Sequence, residues 1–198
     1  MSEILFIRHA ETDMAGTFCG GRSDPELNAR GRVQLAELIK TLRKEEINVV
    51  YTSGLRRAHQ TGIGIAEAFG VDCHVRSALR EIDFGQWEGL AWEEIERRDK
   101  AYALRWIAEY PHLQAPDGED FCDFERRVLR EVNTLSAEAE VSGCRIAVVT
   151  HAGVLRTVLC ALEGYSEENA WEQTRSYCCS IVRHSSVTSS MQPMEVKS

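Results

Sequence analysis

The chain has 198 residues, 43% of them hydrophobic, and a formal net charge of −8 with its histidines neutral. That length and apolar content support one sizeable core in a globular, soluble domain, and no apolar run approaches the roughly 20 residues a membrane span needs. The acidic balance argues against a nucleic-acid partner, whose footprint is a basic patch, so a local cluster of cations is informative.

The first predicted element is an apolar strand over residues 4–7, ending in Arg8-His9-Ala10-Glu11-Thr12. The chain enters it after three residues, which leaves no room for a signal peptide, and we expect a cytoplasmic protein. Ligands of open α/β sheets bind outside the carboxyl ends of strands, so Arg8 and His9 stand where a substrate sits. A guanidinium beside an imidazole suits an anion whose phosphorus can be attacked by nitrogen, although a merely solvated strand end reads the same way.

Residues 15–25 form a polar, Gly-rich stretch that reads as a binding loop. It matches neither a Walker A nor a G-x-G-x-x-G element, and no nucleotide is inferred. Asn28 is placed to cap a helix whose Leu35, Leu38, Ile39 and Leu42 share one face. Residues 47–53 form a second strand, followed by a helix carrying Arg56 and Arg57 in its first turn. Adjacent helical residues lie ~100° apart, so only one of the two arginines is expected to face the site.

Residues 73–75 make a short strand, and residues 79–89 an irregular stretch in which Glu81 is a candidate proton donor, a solvated carboxylate being the ordinary alternative. Residues 91–112 and 119–140 read as two helices separated by Pro111, Pro116 and Asp117-Gly118. Phe121, Phe124, Val128, Val132, Leu135 and Ala139 give the second a clear stripe. The first carries Trp92, Ile95, Tyr102, Leu104, Trp106 and Ile107 less regularly, and either covers the mouth of the site or packs into the core. Residues 145–150 repeat the opening theme, an apolar strand with His151 at its end and a helix running on through Leu162. Residues 176–184 are read as a last strand and residues 187–198 as a disordered tail. The seven cysteines, at 19, 73, 122, 144, 160, 178 and 179, contain no C-x-x-C pair and are expected to be reduced and mostly buried.

Four segments together resemble the histidine phosphatase superfamily, the phosphoglycerate mutase-like proteins, and within it the phosphatase branch. Arg8-His9-Ala10-Glu11-Thr12 is similar to R-H-G-E-T, and residues 53–61, from Ser53 to Thr61, to S-x-L-x-R-A-x-x-T. Residues 79–89 are similar to L-x-E-x-x-x-G-x-x-E-G, and Thr150-His151-Ala152-Gly153 to the terminal histidine motif. The resemblance implies a three-layer α/β/α sandwich with a mostly parallel central sheet and a helical insertion near the active site. It implies one domain over residues 1–186, the insertion lying at about 90–120.

The same resemblance implies His9 as the nucleophile, Arg8, Arg57 and His151 as holders of the phosphoryl oxygens, and Glu81 as proton donor and then base. Thr12, Gly21, Arg22 and Ala152 join Arg8, Arg57 and His151 as expected substrate-binding residues. Phosphoryl transfer needs mainly positioning and charge stabilisation, so neither a metal nor a cofactor is expected. His9 should be neutral, with one nitrogen's proton held by a backbone carbonyl, and His151 should work best protonated. Ala10 and Ala152 stand where the family commonly has glycine, and Ala15 where it has asparagine; the two methyls would narrow the pocket floor or shift backbone that required φ > 0. The expected activity is hydrolysis of a small phosphorylated metabolite, as in the α-ribazole phosphatase or broad-specificity types. A phosphoglycerate mutase and a non-catalytic phospho-ligand sensor are the alternatives. No nucleic-acid or membrane partner is expected, and a homodimer through an edge strand or the aromatic helix is left open.

Overall fold

The computed structural model describes residues 3–174 and 178–185. Successive side chains of a strand point to opposite faces, and in β1 (Glu3–Arg8) both faces are apolar, which requires cover on each side. Ile4 and Phe6 pack with Ile146 and Val148 of β4 (Arg145–Thr150) beneath α5 (Phe121–Ser142) and α6 (Ala152–Ala161). Leu5 and Ile7 pack on the other face with Ala147 and Val149, beneath α1 (Ala29–Leu42) and α2 (Arg56–Phe69). Burial of each such aliphatic side chain is worth roughly 1.5–3 kcal/mol, so the sheet is the centre of stability as well as of the layering.

The sheet has five strands, and the remaining three are β2 (Val49–Thr52), β3 (Cys73–Val75) and β5 (Ile181–His184), in the order β3-β2-β4-β1-β5. β1 is antiparallel to β5 and parallel to β4, and β2 is parallel to both of its neighbours. The result is the expected α/β/α sandwich with a mostly parallel sheet. Asn28 caps α1 by accepting the Gly31 N–H at 2.7 Å, worth about 1 kcal/mol.

Several expectations need correction. The single helix read over residues 91–112 is two, α3 (Trp92–Arg98) and α4 (Lys100–Ala108), because the Asp99 side chain caps the second by accepting the Tyr102 N–H at 3.0 Å. Trp92, Tyr102 and Trp106 pack around Trp87 and Phe18, whereas Leu104 and Ile107 are exposed. A further helix, α7 (Glu167–Thr174), has a polar sequence that periodicity did not reveal. The last strand is shorter than residues 176–184, and the part of that reading on residues 176–177 lies outside the described residues, as does the tail at 187–198. The cysteines are unpaired but not mostly buried: Cys122 is exposed and the others are intermediate, and Cys178 and Cys179 sit in a turn rather than in a strand. Among the described residues no helix is long and apolar enough to cross a membrane.

Candidate active site

Parallel pairing of β1 with β4 sets Arg8 opposite Thr150, so the next residues, His9 and His151, leave the sheet side by side. The His9 N–H donates to the Thr150 carbonyl at 2.9 Å, and the two imidazole centroids are 5.2 Å apart. The chain after β1 goes to α1 on one face, while α6 follows β4 on the other. The histidines therefore stand where the connections diverge, the crevice in which open α/β sheets bind ligands.

His9 Nδ1 lies 2.7 Å from the Ala10 carbonyl, the geometry of a donated N–H. That leaves Nε2 as the lone-pair nitrogen, and the Arg57 Nε–H points at it from 3.2 Å. Burial is the larger force holding His9 neutral, followed by the charge of Arg57; the Ala10 hydrogen bond opposes them and Arg8 adds to them. Arg57 is wholly buried. Its Nη1 donates to the Ser23 carbonyl at 2.6 Å and its Nη2 to those of Cys19 and Gly20 at 3.1 and 3.0 Å. Arg56, its neighbour, is exposed and pairs with Glu26, so one arginine of the two faces inward, as expected.

His151 is also wholly buried. Ser53 Oγ accepts the Leu55 N–H at 3.3 Å and lies 2.7 Å from His151 Nε2, so the hydroxyl can donate to that nitrogen and leave the proton of a neutral ring on Nδ1. Without an anion beside it, this histidine favours the neutral form. Burial first, then the charge of Arg57 and more weakly those of Arg8 and Arg127, push its pKa well below the ordinary 6.5. Among the described residues, the buried Nδ1 of His151 and the buried Nε of Arg8 have no hydrogen-bond partner. Buried polar atoms without partners are rare, and two such donors, on the residue before His9 and on His151, suit an anionic ligand.

Glu81 is 7% exposed, and its carboxylate accepts the Ile82 N–H at 3.1 Å and the Gly153 N–H at 3.0 Å. The second donor belongs to the first turn of α6, so the loop carboxylate is docked on the helix that follows His151.

The other expected binding residues have partners of their own. Arg8 Nη1 donates to the Thr174 carbonyl at 2.6 Å, which ties the end of β1 to α7. Thr12 is buried and its hydroxyl accepts the Met14 N–H at 3.3 Å. The Gly21 N–H and carbonyl are engaged by Ile82 and Arg80. Arg22 is directed to Asp83 and to the Asp117 carbonyl, at 2.7 and 2.8 Å, rather than to His9. Ala152 opens α6, half-buried. Among the described residues the non-glycine positions with positive φ are Asp117 and Cys179, so neither Ala10 nor Ala152 occupies backbone that required glycine.

Sequence reasoning missed the residues that hold these groups. Glu88 accepts the N–H groups of Gly20, Arg22, Ser23 and Phe84 and the Ser23 hydroxyl, closing the Gly-rich loop; its place in the Glu-Gly pair of residues 88–89 was the available signal. Arg127 of α5 donates to the carbonyls of Ala78, Arg80 and Glu81 and pairs with Glu119, and no local pattern marks it.

The family model described as histidine phosphatase superfamily (branch 1) matches residues 4–190. Phosphoserine phosphatase 1 of Hydrogenobacter thermophilus is 31% identical over 176 residues, covering 86% of this chain and 81% of the relative. Adenosylcobalamin/alpha-ribazole phosphatase of Salmonella typhimurium is 29% identical, covering 85% and 83%. The solved structure of YhfR from Bacillus stearothermophilus superposes with a TM-score of 0.80 at 30% identity, covering 92% of this chain and 90% of that one.

Proposed function

From a chain that belongs to the histidine phosphatase superfamily (branch 1) and is a phosphatase, with relatives that act on small phosphorylated substrates, we propose a metal-independent phosphomonoesterase that works through phosphohistidine at His9. The observation that supports it most is the state of His9. One nitrogen is occupied by the Ala10 carbonyl, and the other keeps its lone pair beside Arg57, while the preceding Arg8 and His151, whose ring centroid is 5.2 Å away, carry unpartnered donors.

In the proposed reaction Nε2 of neutral His9 attacks phosphorus in line with the ester oxygen. The N–P bond forms as the P–O bond breaks, and Glu81 gives its proton to the departing oxygen. Arg57, Arg8 Nε and His151 Nδ1–H stabilise the phosphoryl oxygens, the largest contribution in this class of transfer. Glu81, now a carboxylate, takes a proton from water, whose oxygen attacks phosphorus; the N–P bond breaks, giving inorganic phosphate and restoring both groups. We also propose that residues 1–186 form one domain in which residues at about 90–120 cap the site, supported by the packing of Trp87 and Trp106 on Phe18 of the loop that Arg57 holds.

The test is a panel of phosphorylated metabolites with phosphate detection, with and without chelator, and an acid quench of the enzyme labelled from a radioactive phosphomonoester. Phosphate release that survives chelation, and an acid-labile label absent in His9→Ala, are expected. Isomerised product without phosphate would indicate a mutase instead, and loss of turnover on chelation would end the metal-independent reading.

A further inference from the structure

Arg156 is a cation that the mechanism above does not use, carried by the helix that begins directly after His151. It lies on α6 three residues beyond Gly153 and four beyond Ala152, on the helix face shared with both. Helical side chains lean toward the N-terminus, and this one folds back until its Nε donates to the Ala152 carbonyl at 3.3 Å. Its guanidinium stacks on Trp171 of α7, 4.2 Å from the ring centroid. The side chain is half-buried, and among the described residues its Nη1 and Nη2 have neither a hydrogen bond nor an ion pair. Charges withdrawn from water are ordinarily paired, so a fork of free donors fixed on an aromatic face is prepared for an anion.

Gly153, one turn before Arg156 on the same helix face, donates its N–H to Glu81 Oε2 at 3.0 Å, and that contact fixes where the anion would lie. Burial lowers the pKa of Arg156, Glu81 and then Tyr110 pull it back up, and Arg8 pushes the same way as burial. An arginine stays charged through such shifts. Glu81 serves the departing oxygen, so a cation on its side meets the alcohol portion of the substrate, whereas the phosphoryl group has Arg8 and Arg57.

We propose that Arg156 binds a carboxylate on the alcohol portion of the substrate, which makes the preferred substrates phosphorylated hydroxy acids, with the ester oxygen and the carboxylate a few bonds apart. This rests on the phosphomonoesterase reading given above. One planar guanidinium matches one carboxylate in a bidentate pair, and Trp171 holds the plane in place.

The probes are O-phosphoserine and phosphoethanolamine, which differ only by the carboxylate, with p-nitrophenyl phosphate as the measure of the underlying phosphatase. The wild-type enzyme is expected to favour O-phosphoserine in kcat/KM by about tenfold or more, mainly through KM, as one charge-assisted pair allows. In Arg156→Met, which keeps an apolar stem on Trp171, that ratio should fall toward one, and Arg156→Lys should restore part of it. A wild-type ratio near one, with p-nitrophenyl phosphate turned over, overturns this proposal and leaves the phosphatase reading standing. So does a ratio that Arg156→Met leaves unchanged. Failure to turn over any of the three overturns both.

Discussion

Gly153 gives Glu81 both an N–H and the space of a missing side chain. The Gly153 N–H reaches Glu81 Oε2 at 3.0 Å, and a Cβ at position 153 would overlap Oε1 of the same carboxylate. Gly153→Ala must therefore displace the proposed proton donor while leaving His9 and Arg57 in place. Turnover of an alkyl phosphate should fall by about 100-fold, and that of an aryl phosphate, whose leaving group needs no proton, by far less. Steady-state kcat for the two substrates decides it, and equal losses would remove Glu81 from the acid role.

Arg127 and Glu119 fasten the segment that carries Glu81. Arg127 reaches the carbonyls of Ala78, Arg80 and Glu81 at 2.7, 2.8 and 3.2 Å, and Glu119 accepts the Asp83 N–H at 3.3 Å. Arg127→Gln leaves mostly shielded carbonyls and a carboxylate without their donor, which should lower stability by about 3 kcal/mol. It should also lower kcat more for alkyl than for aryl phosphates. Urea unfolding and the paired assays test this, and a loss of stability with no change in the alkyl-to-aryl ratio would mean that the clamp is structural alone.

Ser53 sets the tautomer of His151 through its 2.7 Å contact with Nε2. Ser53→Ala leaves that buried nitrogen unsatisfied and lets the proton leave Nδ1, where it would face a phosphoryl oxygen. A loss of about tenfold in kcat/KM is expected, with weaker competitive inhibition by inorganic phosphate. Unchanged inhibition would argue that His151 does not touch the anion.

Both histidines are held neutral by burial first and by Arg57 next. Their folded pKa values lie below 6.5, so below that pH the unfolded chain binds protons that the native state does not. Stability therefore rises with pH across the window below 6.5 and is lost as pH falls, by up to about 1.4 kcal/mol per pH unit for each histidine. Urea midpoints between about pH 7.5 and pH 5.5, above the carboxylate range, should decline in the wild type and less steeply in His151→Gln. A flat profile would contradict neutral burial. Because His9 stays unprotonated, kcat/KM should persist below pH 6.5 as well.

By itself the sequence marked the first four strands and the histidines that follow two of them, and its motifs singled out Arg57 and Glu81, because each has a local pattern: an apolar run, a period or a motif. It carried no trace of what holds them. The lowered pKa of His151, the clamp of Arg127, the diversion of Arg22 to Asp83 and the docking of Glu81 on Gly153 arise from residues far apart in the chain and from burial, and only the tertiary structure decided them. A side chain's partners and its protonation depend on what surrounds it in three dimensions, which a linear pattern does not record.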